Sequence, residues 1–226
     1  MLYRNPVWIY PNFLTNEEVE RIKWSSERLP LEDGMTGNNN LKNDPDAKDK
    51  LGQKNSAIRK SDVKWFHEDE MPYEIQRKIA DGINMANRES GWNLIWDYME
   101  PHQYTVYHHR PDEFTAGDHY TWHLDQFIQP TPEGRYRKLS STIQLSDPEE
   151  YEGGDFEYIQ YHGVFDKLGV ENTVIDIASH KKTVPFSGKS KGTLIVFPSD
   201  TYHAVTPVTR GTRISLVSWF HGPQAV

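Results

Sequence analysis

The chain has 226 residues, enough for one domain with a sizeable core, and no cysteine, which excludes disulfides, zinc–thiolate sites and thiol nucleophiles. Its net charge of −8 argues against nonspecific nucleic-acid binding, which needs a basic footprint. The first residues lack a basic segment followed by an apolar run, and no apolar run nears the ~20 residues that span a bilayer, so the sequence predicts a soluble, intracellular, cytoplasmic protein.

In chain order, Val7 to Tyr10 reads as a short strand. Thr15-Asn16-Glu17-Glu18 is a capping box that opens a helix, with Thr15 as N-cap and Glu18 reaching back. Val19, Ile22, Ser26 and Leu29 line its inner face, and Pro30 ends it. Residues 31 to 56 are polar, without periodicity, and predict a long loop, either plain surface or a cover for substrate. Order returns from Ala57 to Phe66. Met71 to Ser90 predicts a second helix, with Ile75, Ile79, Ile83 and Ala86 on one face and Gly91 as its stop.

From Trp92 the period shifts towards two. Candidate strands are Asn93 to Tyr98, Gln103 to His109, His119 to Asp125, Leu139 to Leu145, Asp155 to Tyr161, Val174 to Ile177, Thr193 to Phe197, Thr201 to Thr206 and Arg213 to Phe220. Many short strands separated by Gly and Pro turns suggest a sandwich or barrel. The expected fold is mainly β with flanking helices: a double-stranded β-helix (jelly-roll) core with the N-terminal helices packed on one side. The domain reading is one unit over 1–226, with 1–91 as helical support and loop and 92–226 as the core.

The chemistry starts at Tyr120-Thr121-Trp122-His123-Leu124-Asp125-Gln126-Phe127. In an extended strand residues i and i+2 share a face, so His123 and Asp125 project side by side. With a distant second His they make a 2-His-1-carboxylate triad, the pattern of non-haem Fe(II) oxygenases. The tripeptide alone is weak, since a chain of this composition holds roughly one by chance. A second, His67-Glu68-Asp69, lies in a polar run and reads as a solvated loop.

Residues 197–216, FPSDTYHAVTPVTRGTRISL, carry the missing parts. His203 opens a strand, Thr209 to Thr212 reads as a turn with Gly211 at the tight position, and Arg213 starts the returning strand. If Arg213 pairs near Val208, it lies about five residues from His203 along the sheet, on the order of 15 Å. A five-carbon dicarboxylate held at the metal by one end spans towards an inward-reaching Arg, whose planar fork grips a carboxylate bidentately. The competing readings are a hydrogen-bonded strand histidine for His203 and a surface ion pair for Arg213.

With these motifs in order, residues 92–222 resemble the Fe(II)- and 2-oxoglutarate-dependent dioxygenases, in particular the prolyl 4-hydroxylase branch and its small bacterial and phage members. LSSTIQLSDPEEYEGGDFEY, residues 139–158, is similar to that family's strand, turn and Gly-Gly pair. The first 90 residues match more loosely, through the helix after FLTNEE and through NSAIRKSDVKWF. The resemblance implies that His123, Asp125 and His203 hold Fe(II) and that Arg213 binds the far carboxylate of 2-oxoglutarate. It places Tyr107 as a co-substrate-holding tyrosine, though the segment Arg110 to His119 intervenes. Gln144 stands where relatives often carry a Tyr near the same carboxylate, a departure that leaves its role open. Trp219, six residues past Arg213, matches a Trp of the substrate proline pocket, and Arg137 a substrate-contacting Arg. Core aromatics (Tyr107, Trp219) and a surface charge (Arg137) are the structural alternatives.

The implied activity is hydroxylation of a peptidyl proline, with O2 as oxidant, release of succinate and CO2, and ascorbate as a candidate accessory. The implied partner is a proline-containing peptide or protein. Alternatives are the same chemistry on a lysyl residue or small metabolite, nucleic-acid demethylation, or a silent jelly-roll binding module. Demethylases look for a second Arg six residues after the first, where this chain has Trp219.

Overall fold

The computed structural model describes residues 5–34, 57–67, 69–126, 129–160 and 180–224. Most of the polar stretch at 31–56 and the expected strand Val174–Ile177 lie outside them, as do Glu68 and Phe127. No helix among the described residues is long and apolar enough to cross a membrane.

The described chain forms β1 (Trp8–Tyr10), α1 (Asn16–Ser26), β2 (Glu32–Asp33), β3 (Arg59–Lys60), β4 (Asp62–Phe66) and α2 (Tyr73–Glu89). There follow β5 (Tyr98–Met99), β6 (His102–His108), β7 (His119–His123), β8 (Arg135–Gln144), β9 (Tyr151–Gly153) and β10 (Phe156–Ile159). The last strands are β11 (Lys181–Thr183), β12 (Leu194–Pro198), β13 (His203–Val205) and β14 (Val208–Pro223). The larger sheet runs β1-β12-β8-β14-β6-β4-β2, with β5 and β9 also paired to β14; the smaller runs β11-β10-β13-β7-β3. Every pairing among the described strands is antiparallel. This is the jelly-roll core expected from the sequence, buttressed by two helices.

The helices cover one face of the larger sheet. Val19 and Ile22 of α1 and Ile75, Ile79 and Ile83 of α2 form one core with Tyr104, Val106, Leu139, Ile143, Leu194, Val196, Leu216 and Phe220. The alternate residues Ile195 and Phe197 of β12 pack instead with Phe156 of β10, between the two sheets. With both faces buried, β12 reads as a continuous apolar run rather than an alternation. The capping box of α1 is present, and its Glu18 also pairs with Lys78 of α2 at 2.7 Å, which joins the two helices.

Four expectations need correction. Asn93 to Asp97 is not a strand. Asn87 bonds Leu94 through both its amide oxygen and its nitrogen, and Asn93 takes a positive φ of 53°, so helix-end geometry holds this segment and pairing starts only at Tyr98. Glu32–Asp33, expected as loop, pairs with Asp62 and Val63. Strand β7 ends at His123, not Asp125. Finally, Thr209 to Thr212 is no turn, for β14 is one strand from Val208 to Pro223. Gly211, at φ +69°, sits where a Cβ would lie 1.9 Å from the Glu150 carbonyl, so this glycine serves a close approach of β9 rather than a reversal. Arg213 accordingly pairs with Tyr107 and Val208 with Gly153.

Candidate active site

Between the sheets lies a pocket, about 450 Å³ of empty space when the open solvent at its mouth is included, with His123, Asp125 and His203 on its wall. Their ligand atoms all lie within 4.8 Å of one another. His123 and His203 are register partners on β7 and β13, so pairing places the two imidazoles side by side. Asp125 lies just past the end of β7, where its backbone N–H donates to the Ser199 carbonyl at 3.1 Å. The carboxylate therefore joins the site through a bend, not through strand alternation. A register shift in the β7–β13 pairing lets Tyr120, three residues before His123, stack on its ring at 3.5 Å between centroids.

Each imidazole is set by a carbonyl two residues earlier. His123 Nδ1–H donates to Thr121 at 2.7 Å and His203 Nδ1–H to Thr201 at 2.9 Å. That choice of tautomer leaves both Nε2 lone pairs for a ligand. Asp125 Oδ1 and Oδ2 lie 3.6 and 3.7 Å from those two nitrogens. Burial pushes His203 down to about 4, so it stays a neutral donor near neutral pH. Burial alone raises the Asp125 carboxyl, but His203, His123 and Arg137 outweigh it and hold it well below the usual carboxylate range. Two imidazole nitrogens and one carboxylate, converging with open positions, fit Fe(II).

Arg213, Tyr107 and Trp219 line the same pocket. Arg213 is only 2% exposed. Its Nη1 lies 3.4 Å from Ser215 Oγ and its guanidinium carbon 5.5 Å from the Tyr107 ring centre. Among the described residues no carboxylate pairs with it. Gly154, at φ +58°, lets the Arg213 stem pass: a Cβ there would lie 2.7 Å from Arg213 Cδ. Burial raises the phenols of Tyr107 and Tyr120, the latter to about 12, so both keep their protons.

The two remaining predicted residues stand apart. Gln144 is buried but is not among the residues lining the pocket. Arg137 does not line it either; it pairs with Glu100 and stacks on Trp219. Sequence reasoning passed over Arg59, Gln103, Tyr120, Phe156 and Phe197, which also line the pocket. Alternation along Gln103-Tyr104-Thr105-Val106-Tyr107 puts Gln103 on the face of Tyr107 and was a usable signal. Tyr120 and Arg59 gave none, because a register shift and a β3–β7 pairing bring them in.

A jelly roll that gathers two histidines and an aspartate beside a buried arginine defines a metal-dependent oxygenase scaffold. Residues 99–221 match the family model of the 2OG-Fe(II) oxygenase superfamily, and the chain belongs to that family. Among curated proteins it is 38% identical over 104 residues to the PKHD-type hydroxylase azo0608 of Azoarcus sp. (strain BH72), covering 44% of this chain and 37% of that one. It is 31% identical over 110 residues to the PKHD-type hydroxylase YbiX of Escherichia coli O1:K1 / APEC, covering 48% and 40%. The matches thus span about two fifths of those relatives. Of solved structures, a Pseudomonas putida prolyl-4-hydroxylase superposes with a TM-score of 0.59 at 20% identity, covering 96% of this chain and 92% of that one. The viral collagen prolyl hydroxylase of Paramecium Bursaria Chlorella virus-1 gives 0.57 at 18% identity, covering 97% of each. At these identities the superpositions establish a shared fold.

Proposed function

We propose that the protein is an Fe(II)- and 2-oxoglutarate-dependent dioxygenase that hydroxylates a peptidyl proline, releasing succinate and CO2. One observation carries the reading: Arg213, a buried cation without a described carboxylate partner, shares a pocket with the His123–Asp125–His203 triad. Isolating a charge from water costs several kcal/mol, so a guanidinium kept this way suits a carboxylate that arrives with a ligand. The similarity to proteins named PKHD-type hydroxylases and prolyl hydroxylases supports proline as the acceptor.

In this mechanism His123, Asp125 and His203 would hold the iron, and the Thr121 and Thr201 carbonyls, by taking the Nδ1 protons, leave both Nε2 atoms free to ligate. Arg213 takes the far carboxylate of 2-oxoglutarate, and Tyr107, paired with it across β6 and β14, stands beside that end. Trp219 offers a flat apolar wall to an uncharged pyrrolidine ring. Phe156, Phe197 and Val205 give the pocket around the centre apolar wall. Iron, 2-oxoglutarate and O2 supply the oxidation that places a hydroxyl on the acceptor carbon. Ascorbate belongs to the proposal as an accessory reductant, and a cytoplasmic location as its setting.

The test is O2-dependent conversion of 2-oxoglutarate to succinate with Fe(II), with and without proline-rich peptides. Peptide-stimulated turnover with a +16 Da product on proline is the expected result. Turnover that ignores the peptides overturns proline as acceptor. Failure to bind iron or 2-oxoglutarate at all sinks the oxygenase reading and leaves a silent binding module.

A further inference from the structure

The four residues Glu100, Arg137, Trp219 and His221 form a cluster beside the pocket. Glu100 donates its backbone N–H to the Trp219 carbonyl at 3.0 Å. Its carboxylate accepts from Arg137 Nε at 2.6 Å and Nη2 at 2.7 Å, a bidentate pair, and also from His221 Nε2. Arg137 in turn lays its guanidinium over the Trp219 ring at 4.0 Å and directs Nη1 to the Asp125 carbonyl at 3.4 Å. The Trp219 indole N–H is buried and, among the described residues, has no hydrogen-bond partner. Among the described residues no hydrogen bond of its own therefore fixes the plane of this ring; stacking by Arg137 and the neighbouring Trp65 ring, 6.1 Å away between centroids, do.

Local backbone geometry explains why Arg137 is there. In the β8–β14 pairing Phe220 faces Leu139 and His221 faces Arg137, so Lys138 is an extra residue in β8. Strict alternation would place Lys138, not Arg137, on the face of Trp219. The bulge reverses the parity and turns Arg137 to that face.

We propose that Glu100 is a positioning residue of this centre: it holds Arg137 against both the Trp219 indole and the Asp125 backbone, tying the substrate wall to a metal ligand. The proposal rests on His123, Asp125 and His203 being the iron site. It gives Arg137 the role of a strut, not of a direct substrate contact. Partners that orient a metal ligand are worth about 10- to 100-fold in metal affinity; a main-chain contact belongs at the low end.

The experiment is titration of the purified protein with Co2+ alone, followed by visible absorption, for wild type, Glu100→Ala, Arg137→Ala and the double variant. Glu100→Gln, which keeps the shape and one accepting oxygen, guards against a folding failure. The expected result is a loss of about tenfold in Co2+ affinity for each alanine variant, a smaller loss for Glu100→Gln, and a double variant no worse than Arg137→Ala alone. In the Co2+-loaded variants, 2-oxoglutarate affinity stays at the wild-type value, since Arg213 lies outside the cluster. Unchanged Co2+ affinity with lowered melting temperature overturns the proposal and makes the cluster purely structural. Additive losses overturn it too, since Glu100 would not then act through Arg137. A wild type that binds no Co2+ removes the metal reading itself and this inference with it.

Discussion

Arg213 and Arg137 lie on neighbouring strands of one sheet, β14 and β8, yet they are treated in opposite ways. Arg137 meets a resident carboxylate bidentately, a tryptophan face and a backbone carbonyl. Arg213, more deeply buried, meets a tyrosine ring and a distant serine hydroxyl, and among the described residues no carboxylate pairs with it. A cation whose charge is answered inside the protein builds structure. One left to be answered from outside suits a carboxylate that arrives with a ligand, the role proposed for Arg213 in the pocket it shares with the triad. The contrast separates the two roles more sharply than residue type or burial does.

The largest effect expected comes from replacing each arginine by methionine. Arg137→Met leaves Glu100 with His221 only and destabilises by about 3 kcal/mol. Arg213→Met removes a poorly compensated charge and stabilises the ligand-free protein by about 1–2 kcal/mol, while 2-oxoglutarate affinity falls about 100-fold or more. Urea melts and calorimetric titration measure both; a shared sign in the melts would break the comparison.

Next in size is Ser215→Asp, which gives Arg213 a resident carboxylate like that of Arg137. The expected outcome is about a tenfold weaker 2-oxoglutarate affinity, with Co2+ binding retained. Tight co-substrate binding in this variant would show that Arg213 is not the acceptor of that carboxylate.

Gly154→Ala acts on the Arg213 stem. Its Cβ would meet Arg213 Cδ at 2.7 Å, at a backbone angle that already favours glycine. A flexible stem yields at modest cost, so the loss in 2-oxoglutarate affinity is about threefold to tenfold, readable in the same titration. Gly153→Ala, whose Cβ would meet the Pro207 carbonyl at 2.1 Å, instead lowers stability, because backbone cannot step aside.

The smallest effect is a pH dependence. Burial raises the Glu100 carboxyl, but His221 and Arg137 outweigh it and hold it below its ordinary 4.5. A carboxyl depressed in the folded state adds stability above the unfolded value and loses it as pH falls through the folded one. Wild type should lose this contribution as pH falls below about 4.5, and Glu100→Gln should flatten that limb of the stability curve. An identical acid limb in both proteins would remove the charge from the account of the cluster.

Much of the site was legible in the chain. His123, Asp125, His203 and Arg213 announce themselves because metal and carboxylate chemistry admits few residue types and these came at telling spacings. Both helices were legible too, since Thr15 and Glu18 form a local capping box and the α2 isoleucines keep a helical period. The geometry between them was not. The sequence argues for His123 and Asp125 on one strand face, whereas the Asp125 carboxylate arrives through a bend tied to Ser199, 74 positions on. Gly211 looks like a turn, and only the approach of β9 makes it part of a continuous strand.

By itself, then, the sequence determined which groups are candidates for chemistry and where local periodicity makes helices and strands, because those depend on residue type and near neighbours. Tertiary structure decided which arginine is answered and which is left open. The bulge that aims Arg137 at Trp219, the glycine that makes room for Arg213 and the pairing that brings Arg59 and Tyr120 to the pocket all depend on residues far apart in the chain. Register and close packing are settled between strands, and no single strand encodes them.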